Sequence, residues 1–268
     1  MNRSPDTWDV TQDHHGTMVH TLSPGHSWGP AFYASLPRDA DTAPGSGTNG
    51  GGLRHRLVSI LWEHLVTRDR SVGTSGLSSA SVASRIQVVH DALGKPHLLV
   101  GEDRGPAISF SEGGGAVWAA LCGDHSDIGM DLAAPDEFQG DYPVHRVFQA
   151  QEFQHAMRLT AGNVERASAL LWSVKEAVVK ALGCGFHRVE PLDVCVHPSL
   201  EEDGPYSFSV SLSSKARARL PMSAGRSIWV RTIPQAGMWL SIAFLNGPRR
   251  HGDGRECHNV LACGRVDV

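Results

Sequence analysis

The stretch "LLWSVKEAVVKALGCGF", Leu170 to Phe186, sets Lys175, Glu176 and Lys180 among apolar side chains and then runs into two glycines. Leu170, Leu171, Val174, Ala177, Val178 and Ala181 recur at helical spacing, so the stretch predicts an amphipathic helix with these residues as its buried stripe. The helix starts near Asn163, in "NVERASALLWSVKEAVVKALG", and is stopped by Gly183. Glu176 and Lys180 stand at i and i+4 in the favourable Glu-then-Lys order, worth about a few tenths of a kcal/mol on a solvated face. On that reading alone the charges only decorate a surface.

Outward from this helix the chain alternates helices with strands. On its N-terminal side lie the helical pattern "VFQAQEFQHAMRL" and two apolar strands, "AVWAALCG" and "DIGMDLA", whose short connection predicts an antiparallel hairpin. On its C-terminal side "PLDVCVHP", "YSFSVSL", "SIWVRTI" and "MWLSIAF" read as strands. Further upstream, Leu53, Leu57, Ile60, Leu61 and Leu65 mark a second amphipathic helix, from Leu53 to about Thr67. After it "SRIQVVHDALGKPHLL" predicts two extended pieces around a Gly94-Lys95-Pro96 turn, and "AISFSEGGG" a strand entering a glycine loop. Residues 1–37 hold one strand, "GTMVHTL", in loop-like surroundings, and "RDADTAPGSGTNGGG" has a flexible connector's composition.

Each half thus supplies helices and antiparallel strands, which predicts an α+β protein of two similar lobes. The expected division is an N-terminal strand and connector over 1–52, lobes over 53–125 and 126–245, and a disordered tail over 246–268.

Composition narrows the function. Two-fifths apolar content over 268 residues suits a large buried core, and no apolar run approaches the roughly 18 to 20 residues of a membrane span. A cytoplasmic protein is expected. Five scattered cysteines are too few for a disulfide framework, and the 15 histidines include no HExxH pair. The net charge of −4 argues against nonspecific nucleic-acid binding. Lysine is scarce: of 24 basic residues only Lys95, Lys175, Lys180 and Lys215 are lysines, and three of them fall in the segments singled out here.

Asp131 follows an apolar-Gly-x run near the exit of "DIGMDLA", a place where a carboxylate has little structural use. If the long helix packs over that strand end, Asp131 and Glu176 converge with a lysine beside them. Mg²⁺ needs only one or two carboxylates when substrate phosphates complete its shell, so the expected chemistry is transfer of a phosphate-linked group.

The ordered set "IGMDLA", "RVFQAQEF" and "LLWSVKEAVVKALGCGF" resembles the 4′-phosphopantetheinyl transferase superfamily, whose signature is an apolar-Gly-x-Asp strand followed by W-x-x-K-E-x-x-x-K; Trp172, Lys175, Glu176 and Lys180 match the second part. "RHRLVSIL", "GKPHL" and "ISFSEGGGAVWAAL" extend the similarity to the larger, surfactin-type branch. The resemblance implies a pseudo-twofold monomer with coenzyme A between its lobes, Asp131 and Glu176 on Mg²⁺, and Lys180 beside the phosphate under attack. It implies coenzyme A contacts from Arg56, Lys95, Ser111, Lys175 and Lys180. The implied reaction moves the phosphopantetheine arm onto a serine of an acyl or peptidyl carrier protein and releases adenosine 3′,5′-bisphosphate. Glu176, or a metal-bound water, would take the serine proton.

Two positions depart from the pattern. Ala133 stands where the branch carries a second acidic residue, and Glu112 where it carries histidine. Either two protein ligands suffice for the metal, or Glu112 reaches in to replace the missing carboxylate; a solvent-facing Glu112 is the simpler case. Glu152 matches an acidic position of the family and reads equally well as a helix-surface charge. The alternative function is a catalytically impaired homologue that binds coenzyme A or a carrier protein.

Overall fold

The computed structural model describes residues 9–12, 16–23, 30–41, 51–68, 86–122, 127–199 and 204–246. Its strands are β1 (Asp9–Gln12), β2 (Met18–Leu22), β3 (Ala31–Pro37), β4 (Ile86–His90), β5 (Pro96–Val100), β6 (Asp103–Gly113), β7 (Ala116–Cys122), β8 (Asp127–Ala133), β9 (Val194–Pro198), β10 (Ser207–Leu212), β11 (Ser227–Gln235) and β12 (Met238–Asn246). The helices are α1 (Gly51–Arg68), α2 (Val144–Val147), α3 (Ala150–Leu159), α4 (Val164–Leu182) and α5 (Ser214–Arg219). They build an α+β fold with two antiparallel sheets, ordered β1-β2-β3-β7-β6-β5-β4 and β8-β12-β11-β10-β9.

One topology occurs twice. The segment β3-α1-β4-β5-β6-β7 closes with its last strand beside its first, and β8-α4-β9-β10-β11-β12 does the same. Strands β1 and β2 are additions on the outer edge of the first sheet, beyond β3. The strand β3 falls within a span that the sequence reads as loop-like, and Arg38–Asp41, assigned to the connector, forms a 3₁₀ turn. The rest of the connector (42–50) and the tail from 247 onward lie outside the described residues.

The layers run helix, sheet, sheet, helix. Phe32, Ala34 and Leu36 of β3, with Val117, Ala119 and Leu121 of β7, form a core with Leu57, Leu61 and Leu65 of α1. The alternate residues Tyr33, Trp118 and Ala120 face the other sheet and pack with Ile128, Met130, Leu132, Leu240, Ile242 and Phe244. Both faces of β7 and β8 are therefore buried, which is why each reads as a continuous apolar run. The expected hairpin does not form: β7 pairs with β3 and β6, whereas β8 pairs with β12 in the facing sheet. A buried run specifies a strand but not its neighbour.

Helix α4 covers the outer face of the second sheet, with Leu170, Val174, Ala177, Val178 and Ala181 buried. Asn163 caps its start by accepting from Arg166 N at 2.7 Å, and Gly183, in the left-handed region at φ 72°, ends it.

Candidate active site

The approach of α4 to β8 is set by one residue. A Cβ at position 129 would lie 1.9 Å from the Ala177 carbonyl oxygen and 2.4 Å from the Ala181 nitrogen, so only glycine lets helix backbone rest on strand backbone there. Asp131 is the next residue on the same face of β8. Its Oδ1 accepts from Lys180 Nζ at 2.6 Å and from Ser111 Oγ at 3.2 Å, and the residue is only 7% exposed. Asp131 is the fifth of seven residues in β8, whose bounds are those of the expected strand.

Strand β8 is an edge of its sheet, and β6 of the other sheet supplies what the edge lacks. Met130 N donates to Ser109 Oγ at 2.9 Å, and Leu132 N to Ser111 Oγ at 3.2 Å. The two serines, one strand period apart, satisfy backbone donors that no neighbouring strand receives. Ser111 is buried and commits its hydroxyl to Asp131 and to this edge. It was expected to contact coenzyme A; here it positions the carboxylate.

Burial raises the pKa of Asp131 above the usual carboxylate range, although Lys180 and Ser111 pull it back. Burial likewise raises that of Glu176, and the neighbouring Asp131 adds to the effect while Lys180 opposes it. Two carboxylates close enough to repel, beside one lysine, are held in a costly charge state. A bound divalent cation relieves that cost. The donor set therefore fits Mg²⁺ through Asp131 and Glu176, with the remaining positions left to phosphate and water. Among the described residues no group of three or more His, Cys, Asp or Glu side chains is arranged to hold a metal by itself.

The expected third carboxylate is not found at Glu112. Neighbouring strand residues face opposite ways, so Glu112 points away from the side of β6 on which Ser111 meets Asp131. It ion-pairs instead with Arg38 and with Arg54, the latter at 2.9 Å. Ala133 does share the face of Asp131, but it is buried in the helix-side core opposite Trp239 of β12.

A cleft of about 220 Å³ opens between the lobes beside these carboxylates. Arg54, His90, Lys95, Phe110, Lys180 and Gly183 are among the residues that line it. Lys180 joins the two features, since it reaches both the cleft and Asp131. Lys95, on the turn between β4 and β5, donates to Asp127 Oδ1 and to the Ala181 carbonyl, each at 2.7 Å, and a Cβ at Gly183 would come within 2.8 Å of its Cδ. It thereby ties the first lobe to the open C-terminal end of α4. Asp127 is held in turn by Arg226 at 2.8 Å.

Two residues expected to contact coenzyme A do not line this cleft. Lys175 is fully buried: its ammonium donates to the carbonyls of Val147, Pro191 and Val194 and pairs with Glu152 Oε1 at 2.5 Å. Three N–H groups are thus spent inside the second lobe. Glu152, read as a possible surface charge, is buried as the partner of Lys175 and accepts from Val196 N at 2.8 Å. Arg56 is exposed and lines a separate shallow depression with Ser59, Ile60 and Glu63. Arg54, two residues earlier and so on the other side of the helix, lines the cleft in its place, its guanidinium 5.6 Å from the Phe110 ring centre. Arg54 is half-buried whereas His55 and Arg56 are exposed, a difference that the packing of the helix decides.

A sequence model of the 4′-phosphopantetheinyl transferase superfamily matches residues 127–224. The match takes in β8, α4 and the whole of the carboxylate site, and leaves the first lobe outside it. No curated protein matches the chain. Among solved structures, a Chronobacterium ammoniagenes ACPS–CoA complex aligns at 20% identity and a TM-score of 0.38, covering 47% of this chain and 100% of that one. An apo-ACPS structure from the same organism aligns at 20% identity and a TM-score of 0.38, covering 46% and 98%. No helix among the described residues is long and apolar enough to cross a membrane.

Proposed function

We propose that the chain transfers the 4′-phosphopantetheine arm of coenzyme A to a serine hydroxyl of an acyl or peptidyl carrier protein, with Mg²⁺, releasing adenosine 3′,5′-bisphosphate. The observation that carries this reading is the meeting of Asp131 from β8 with Lys180 from α4 at the end of an inter-lobe cleft, with Glu176 near enough to feel the charge of Asp131. The superfamily match over the same residues supports it.

Asp131 and Glu176 would hold Mg²⁺, which would offset charge on the diphosphate oxygens and so ease attack on the phosphorus. Ser111 and Lys180 hold Asp131 in place, and Lys180 also reaches into the cleft, where its ammonium offsets charge building on the phosphate. Glu176, whose proton affinity is raised by burial and by Asp131, accepts the serine proton. The serine oxygen bonds to the pantetheine-side phosphorus as the bond from that phosphorus to the bridging oxygen breaks, and the bisphosphate leaves with that oxygen. No covalent enzyme intermediate is needed, so the protein contributes positioning and charge. Arg54 and Lys95 line the route by which a polyanionic coenzyme would enter.

The test is intact-mass analysis of an apo carrier protein incubated with this protein, coenzyme A and Mg²⁺. The expected result is addition of one phosphopantetheine arm, abolished by chelation and by Asp131→Asn. If coenzyme A binds but no adduct forms with any divalent metal, the transferase reading fails and the binding-module alternative takes its place.

A further inference from the structure

Three strong cations line the cleft, and each already has an internal carboxylate: Arg54 with Glu112, Lys95 with Asp127, and Lys180 with Asp131. A phosphate entering the cleft must therefore compete with a resident anion. The three carboxylates differ in how firmly they are held. Asp127 is clamped from two sides, by Lys95 and Arg226, and Asp131 is buried under Ser111. Glu112 stands at the rim with its side chain 37% exposed, and its two partners are 42% and 58% exposed.

We propose that Glu112 is a displaceable counter-anion on Arg54, one that sets how readily the cleft admits a polyanionic phosphate ligand. With the cleft empty, Oε1 of Glu112 occupies Arg54 while Oε2 rests on Arg38. When a phosphate arrives, Glu112 keeps Arg38 and yields Arg54, whose guanidinium remains seated over Phe110. The exchange favours the incoming ligand because an exposed carboxylate pair is weak, whereas a guanidinium can grip a phosphate with two charge-assisted hydrogen bonds. Glu112 thus weakens phosphate entry and excludes ligands too weakly charged to displace it. This deepens the transferase reading and rests on it for the natural ligand.

The experiment titrates inorganic pyrophosphate into the wild-type protein and into Glu112→Gln, Arg54→Gln and the double variant at low salt. Glu112 is exposed, so its substitution spares the core. Freeing Arg54 from its resident carboxylate tightens pyrophosphate binding by Glu112→Gln on the order of tenfold, and the gain shrinks as salt is raised. The gain disappears in the double variant, because Arg54 is the group released. Pyrophosphate binding by Glu112→Gln that is no tighter than wild type overturns the proposal, as does a gain that survives in the double variant. Absence of carrier-protein modification would sink the transferase reading and leave the pyrophosphate result standing.

Discussion

The two lobes share a strand-helix-meander topology, yet the carboxylates of the proposed site, Asp131 and Glu176, both lie in the second. In the first lobe, α1 meets β3 through full side chains, with Phe32, Ala34 and Leu36 packed against its leucines. In the second, Gly129 removes the side chain between strand and helix, and Ala177 and Ala181 bring helix backbone down onto it. That approach places Asp131 against Lys180 and near Glu176. The first lobe contributes differently: two serines seal the edge of β8, and Lys95 and Arg54 border the cleft. Duplicated topology thus leaves room for divided labour, and a single missing Cβ separates a packing interface from a site.

The comparison is broken most severely at Gly129. Gly129→Ala forces α4 away from β8, because the clash is with backbone; we expect a loss of about 4 kcal/mol or more in denaturant unfolding, together with loss of transfer activity. Next is Lys175→Met, which leaves Glu152 buried and unpaired and costs about 3–5 kcal/mol. Adding Glu152→Gln should recover part of that loss, which would mark Lys175 as a core residue of the second lobe.

Glu176→Gln sharpens the functional side. Transfer should fall on the order of a hundredfold or more, while the metal-free protein melts at a higher temperature. The folded pKa of Glu176 is raised, so its ionisation destabilises the fold as pH rises through that value. The stability advantage of Glu176→Gln should therefore grow as pH rises from the ordinary glutamate range through the raised folded value; an advantage that is flat or shrinking would contradict the assignment.

The smallest effect is expected at the inter-lobe clasp. Burial pushes the Asp127 carboxyl up, but Lys95 and Arg226 outweigh it and hold it below the ordinary range. Its contribution is therefore present above the unfolded pKa and is lost as pH falls through the folded one. Lys95→Met should cost about 1–2 kcal/mol at neutral pH and make acid unfolding less steep, measured by denaturant melts across the acid range.

Much of this was legible in the sequence because it is local. The limits of α4, from Asn163 to Gly183, follow from a cap, a stripe and a left-handed glycine, all readable within one helix. The convergence of Asp131, Glu176 and Lys180 could be expected from carboxylates and a lysine where packing has no need of them. What could not be read is which charges are buried. Lys175 and Lys180 are five residues apart on one helix, but one is sealed under three carbonyls while the other reaches the cleft. Similarly, only the packing of α1 decides between Arg54 and Arg56, and only the parity of β6 turns Glu112 away from Asp131.

The periodic elements, the α+β class and the candidate site residues could be read from the chain alone, since hydrophobic spacing, caps and residue type act over a few neighbours. The tertiary structure alone decided that β7 and β8 face each other across two sheets, that Ser111 serves Asp131, and that Glu112 is engaged by arginines. Those outcomes depend on which distant surfaces meet. A side chain's charge is written in the chain, but its partner is chosen by packing.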